Sequence, residues 1–278
     1  KHTIGNVSAY VAMATAIGGF PFEQVVTSFV KTLEKRRIPE TLLARNREAL
    51  EATRAEIRTG VFDFAEKGDH VAAIGTYRQA LEIAQRVGNG EHHLGADVLL
   101  NLAKELHNSE NDAEAEPLLR EALRIQRQVL SPEHPDVVAC LKSLAEIRKD
   151  NGDYVEADSL YREALAMQRN LHPEGHVEIA GGLNELATML HDRGDFAYAE
   201  PLYREALTLQ RKLLRTEDPE LANTLANLGA TLNGLGKTAE AETLLREAVE
   251  RFRATHGENH WHTGVAQSHL GDCLRRQG

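Results

Sequence analysis

The stretch AEPLLREALRIQRQ, residues 115–128, combines a proline, dense charge and a packed apolar run, the ingredients of an active-site signature. It has near-copies at 157–170, ADSLYREALAMQRN, and at 199–212, AEPLYREALTLQRK. The arginine before EAL, or its equivalent, falls at Arg78, Arg120, Arg162, Arg204 and Arg246, always 42 residues on. Ala73, Ala115, Ala157, Ala199 and Ala241 keep that register, as do Ala80, Ala122, Ala164, Ala206 and Ala248. An apolar set precedes each copy at Leu102, Leu144, Leu186, Leu228 and Leu270. A fixed period of this length is the mark of a repeat architecture, and each motif has to be read within it.

The repeating unit reads as two helices. Leu99, Leu102 and Leu106 lie at i, i+3 and i+7, one helical face, with small Ala103 beside them. A polar break follows, with Gly152, Gly194 and Gly236 at one equivalent position. Glycine there supplies the left-handed conformation that ends a helix. The copy with Glu110 lacks it, which predicts a less comfortable turn. Asp112, Asp153 and Asp195 are placed to cap the next helix or to load its first turn with negative charge. The second helix then carries Ala115, Leu119, Ala122 and Leu123 on one face. Its alanines permit close helix approach beside Leu119, Tyr161, Tyr203 and Leu245. No segment shows sustained period-2 alternation, so an all-α array is expected.

Within that frame the quoted stretch is structural. Glu116/Arg120, Asp158/Arg162, Glu200/Arg204 and Glu242/Arg246 are acid-before-base pairs at i, i+4. Each stabilises a helix surface by about 0.2–0.5 kcal/mol. Pro117 and Pro201 are expected near the helix start, where a missing N–H costs least.

These positions resemble the tetratricopeptide repeat (TPR). The small sites of that family map onto Ala103, Ala115 and Ala122, and its large ones onto Leu99, Leu102, Leu106 and Leu119. The long unit, with EAEPLLREAL and the loop SPEHPDVVA, is similar to the repeats of kinesin light chains, and the likeness runs from about residue 50 to the end. Gly75, Ser159 and Thr243 depart from it at the proline position. The resemblance implies a right-handed α-solenoid of antiparallel helix pairs. About five pairs and a capping helix, His262 to Arg276, would fill residues 50–278. Residues 1–49, with Pro21 and Pro39 suited to first helical turns, read as a helical extension or cap.

Bulk properties limit the functions open to such a chain. A formal charge of -10 argues against a general nucleic-acid binder, whose affinity rests on neutralising phosphates. Thr3 to Phe22 is free of charge, but Asn6, Ser8, Thr15 and three glycines make it a poor membrane span. Two cysteines, Cys140 and Cys273, three repeats apart, build no disulfide framework and favour a reducing, cytoplasmic setting. GLGKT at Gly234 ends like a phosphate-binding loop. It lacks the earlier glycine, having Thr231 in its place, and a helix leads in where a strand is needed. His256, His260 and His262 could ligate zinc. However, His92, His134, His176 and His260 share one repeat position, with Asp218 in the remaining copy, which favours local turn bonding. No cofactor, metal or catalytic constellation is expected, and the chain reads as non-enzymatic.

If recurring residues build the scaffold, function should use those that do not. In the family the resemblance points to, first helices line the concave face. Its polar sites here would be Asn101, Lys104 and His107, then Lys142, Ser143, Glu146 and Lys149. They continue as Asn184, Glu185, Thr188 and His191, then Asn223, Asn227 and Asn233. Asparagines just before the LA pair hold an extended peptide in kinesin-light-chain-like repeats, and Asn101, Asn184 and Asn227 match that region. A carboxamide donates and accepts, so it can clamp a peptide bond whatever side chain lies beside it. The expected function is an adaptor binding a peptide or partner protein in this groove. Two others compete: the C-terminal sensor arm of a larger signalling protein with an upstream effector or ATPase domain, and an enzyme using the histidine-rich end.

Overall fold

The computed structural model describes residues 70–88, 93–131, 133–215 and 218–277; the expected extension at 1–49 lies outside them. The described residues form ten α-helices and no strand. They belong to two compact units divided after Leu130.

The first unit contains α1 (His70–Gly88), α2 (His93–Asn108) and α3 (Asp112–Val129). Each packs on the next. Ala73, Ala103, Ala115 and Ala122 are fully buried, and Leu102, Leu106 and Leu119 nearly so. The small residues let the helix axes close while the leucines fill the space beside them.

The second unit runs α4 (Pro135–Asp150), α5 (Tyr154–Leu171), α6 (Val177–Asp192), α7 (Phe196–Leu213), α8 (Pro219–Gly234), α9 (Thr238–His256) and α10 (Trp261–Gln277). Consecutive helices pack as antiparallel pairs around one apolar cluster extending from Ala145 to Cys273. Both cysteines are buried, and Cys273 Sγ donates to the Thr238 carbonyl. Arg276 Nη1 donates to the Asn233 carbonyl, so α10 closes over the ends of both α8 and α9.

The turns follow the glycine register. Gly152, Gly194 and Gly236 have φ of 80, 87 and 76°, and Glu110 takes φ 60° at the same position. Each turn repeats one pair of backbone bonds, as in Asp153 N–H to the Arg148 carbonyl and Gly152 N–H to the Lys149 carbonyl. Glu110 keeps the pattern through Asn111 N–H to the Leu106 carbonyl. It does so at a left-handed backbone that costs an L-residue about 1–2 kcal/mol.

Two local expectations change. Pro117 and Pro201 sit inside α3 and α7, in the second turn, where each removes one backbone hydrogen bond. Of the three aspartates, only Asp153 caps, accepting from Glu156 N–H; Asp195 makes no cap bond and is held by Arg193. Asp112 instead takes the other expected role, loading the first turn of α3, and accepts from His107 Nδ1 at 2.6 Å. Leu270 is only half-buried, because α10 has no following helix on that side among the described residues.

Candidate functional site

The two faces of the second unit spend their charge differently. On the second helices the i, i+4 pairs form as expected: Arg120–Glu116 at 3.1 Å in the first unit, then Arg162–Asp158 at 2.7 Å, Arg204–Glu200 at 3.0 Å and Arg246–Glu242 at 2.8 Å. Further pairs tie one second helix to the next. Arg169 meets Glu205 and, one repeat on, Arg211 meets Glu247. Arg204 also reaches Glu240, and this double pairing raises its already high pKa. Lys237, the lysine of GLGKT, lies 2.7 Å from Glu200, as a surface ion pair.

On the first helices, bonds run laterally from repeat to repeat and involve the expected groove residues. Lys142 on α4 pairs with Glu185 on α6 at 2.7 Å. Asn184 Nδ2 donates to Thr224 Oγ1 on α8 at 2.6 Å, and His191 Nδ1 lies 2.9 Å from Thr231 Oγ1. Both threonine hydroxyls donate backwards, to the Glu220 and Asn227 carbonyls, so each must accept from the neighbouring helix. His191 therefore carries its proton on Nδ1, leaving the Nε2 lone pair uncommitted by this bond. Thr188 bonds Tyr203 Oη at 2.8 Å and satisfies a buried phenol.

Burial sets the titration of this face. It pushes the Glu185 carboxyl up, against the pull of Lys142. It holds the His191 and His269 imidazoles below their ordinary range, with His269 further lowering His191. Tyr161 is pushed far up, first by burial and then by Glu146, Glu185, Asp150 and Asp192, a measure of how acidic the surroundings are.

The structure thus holds Lys142, Asn184, Glu185 and His191 through three separate bonds between neighbouring first helices; Asn223 and Asn227 are half-buried on α8. Glu146 and Lys149 lie on α4. In the first unit, Asn101 Nδ2 bonds the Asp97 carbonyl of its own helix and His107 bonds Asp112 at the start of α3; Lys104 is exposed. Asn184 stands one place earlier in the repeat than Asn101 and Asn227, which is why it reaches the next helix.

Sequence reasoning missed the anchors. Thr224 and Thr231 are fully buried, but neither follows the 42-residue pattern. Gln126, Gln168 and Gln210 are also buried. They do recur at 42, inside the opening stretch itself, and could have been read as interior. Gln168 packs against Gly182 on α6, where any Cβ would meet its carbonyl. The shared histidine position behaves as a turn element: His134, His176 and His260 each accept from the N–H two residues on, at 3.2, 3.3 and 3.3 Å. Asp218 does the same at 3.0 Å.

Paired helices with a fixed 42-residue register and a polar first-helix face define a helical-repeat protein. The sequence profile of the tetratricopeptide repeat matches residues 61–127, 105–170, 178–254 and 227–278, and the chain belongs to that family. No curated protein sequence matches it. Among solved structures it is similar to BtubC (BKLC) from P. vanneervenii, at 24% identity over 87% of this chain and 94% of that one, with a TM-score of 0.69. It also resembles the kinesin light chain nearly identical TPR-like repeats of Podosopora anserina, at 24% identity over 73% of this chain and 96% of that one, with a TM-score of 0.63. The structural relatives are thus kinesin-light-chain-like, and the repeats mark a protein-interaction scaffold in general terms. No helix among the described residues is long and apolar enough to cross a membrane.

Proposed function

We propose that the chain is a non-enzymatic adaptor whose first-helix face binds an extended peptide segment or a partner protein. The observation that carries this reading is the lateral row Lys142–Glu185, Asn184–Thr224 and His191–Thr231. It fixes polar side chains across α4, α6 and α8, so little side-chain freedom is lost when a ligand docks. The second-helix face has its arginines and acids paired along the surface, which suits solubility better than recognition. Asn223 and Asn227 supply carboxamides for a peptide backbone, and Glu146 and Lys149 set charge preference. In the first unit, Lys104, beside Asn101 and His107, serves the same role on α2. Asn184 is a support of this face and a poor probe of it, since its removal would strip Thr224 of a bond. The reading is tested with a peptide selected by display against the full chain. Loss of binding on substitution of the first-helix face supports it, and loss on substitution of the second-helix face overturns it.

A further inference from the structure

Four junctions between a second helix and the next first helix repeat three sequence positions, at i, i+4 and i+6. They are occupied by Leu130, His134 and Asp136; His172, His176 and Glu178; Leu214, Asp218 and Glu220; and His256, His260 and His262. Two of these sets, at His172 and at His256, bring three metal-ligating atoms within 4.8 Å of one another. Only the last consists of three imidazoles. Their ring centroids lie 4.5 Å (His256–His260), 5.1 Å (His260–His262) and 5.4 Å (His256–His262) apart. His262 is stacked on Phe252, and its Nδ1 is buried without a hydrogen-bond partner. Turn bonding accounts for His260, whose Nδ1 accepts from His262 N–H. It does not account for His256, whose Nδ1 bonds Thr255 Oγ1 at 2.7 Å, or for the orphaned nitrogen of His262, and two sister junctions carry a leucine at the position of His256.

We propose that His256, His260 and His262 bind a divalent transition-metal ion of the zinc class. Imidazole donors suit zinc, copper and nickel and disfavour calcium and magnesium, which require oxygen ligands. Zinc–nitrogen bonds of about 2.0–2.1 Å place tetrahedral donors about 3.3 Å apart. The rings must therefore close in slightly, which exposed His256 at the end of α9 can do by rotation. A water molecule fills the fourth position. If His260 coordinates through Nε2, its proton moves to Nδ1 and the 3.3 Å cap bond is given up. That loss is small beside chelation by three ligands. The ion bridges the last turn of α9 and the first residues of α10, so it fastens the final helix to the array and stabilises the folded chain by mass action.

The test is calorimetric titration of the tag-free full chain with zinc chloride, beside the variant His256→Leu/His260→Asn. Leucine is the residue of the sister junctions, and asparagine retains a capping side chain, so the metal-free melting temperatures should agree. The single variant His256→Leu, at an exposed position, provides the comparison if the double variant melts lower. The proposal expects the wild type to bind one zinc equivalent more than either variant, and zinc to raise its melting temperature by more. Zinc held at His172, His176 and Glu178 is common to all three chains and leaves the difference intact. Equal stoichiometry and equal thermal shifts would overturn it.

Discussion

At the scale of single residues, repetition and deviation carry different information. Glu110 occupies a position where three sister turns use glycine, and its φ of 60° shows that the backbone demands the left-handed region whatever residue stands there. Glycine removes about 1–2 kcal/mol of steric cost and returns about 0.5–1 kcal/mol as unfolded-state entropy. Glu110→Gly should therefore raise stability by roughly 0.5–1 kcal/mol, measured by chemical denaturation; an unchanged or lower midpoint would count against the turn assignment. Here the sequence alone was enough, because the constraint is local and its signal sits in neighbouring copies. Thr224 and Thr231 were not legible for the opposite reason. They hold Asn184 and His191 across two helices in only one pair of repeats, and nothing recurrent announces them.

At the scale of helices, packing can overrule the repeat consensus. Gly229 replaces the alanine seen at Ala103, Ala145 and Ala187, so Gly229→Ala restores consensus and improves helix propensity by about 1 kcal/mol. A Cβ there, however, would stand 2.6 Å from Leu245 Cγ, 2.9 Å from its Cδ2 and 3.4 Å from the Ala241 carbonyl, and Leu245 is fully buried. Overpacking costs about 1–3 kcal/mol, so the variant should lose roughly 1 kcal/mol net; a stabilised Gly229→Ala would show that the α8–α9 contact yields. The two-helix unit is legible from the period, and α10 extends one residue beyond the expected His262–Arg276 at each end, while the prolines of α3 and α7 lie deeper than expected. Each helix starts three residues before the repeated motif, at Asp112 in α3 and at Phe196 in α7, so the prolines fall a turn deeper. Titration belongs to this scale too. Burial holds His191 and His269 below the ordinary 6.5, so the folded chain binds fewer protons than the unfolded one just below that value. Their contribution is intact above 6.5 and is lost as the pH falls through that range. Melting curves from about pH 7.5 to about pH 5.5 should fall more steeply for the wild type than for His191→Gln/His269→Gln. Glu185, raised by burial, acts in the opposite sense and is common to both chains. Parallel curves would contradict the assignment.

At the scale of the whole chain, the architecture followed from the 42-residue register and the tetratricopeptide pattern, and the family match agrees with both. The proposed binding face was legible only as a list of positions that the scaffold leaves over. Which of them cooperate depends on lateral contacts between helices some 40 residues apart, as in Asn184–Thr224 and Lys142–Glu185. The contrast between the two faces is the centre of the account, and one comparison measures it. A peptide selected by display is titrated against the full chain, against Asn223→Ala/Asn227→Ala on α8, and against Glu242→Ala/Arg246→Ala on α9. Losing the two proposed backbone clamps should weaken binding by about tenfold or more, about 1.4 kcal/mol. Removing the surface ion pair should leave affinity within about twofold. The reverse order, or equal loss from both, would contradict recognition through the first-helix face.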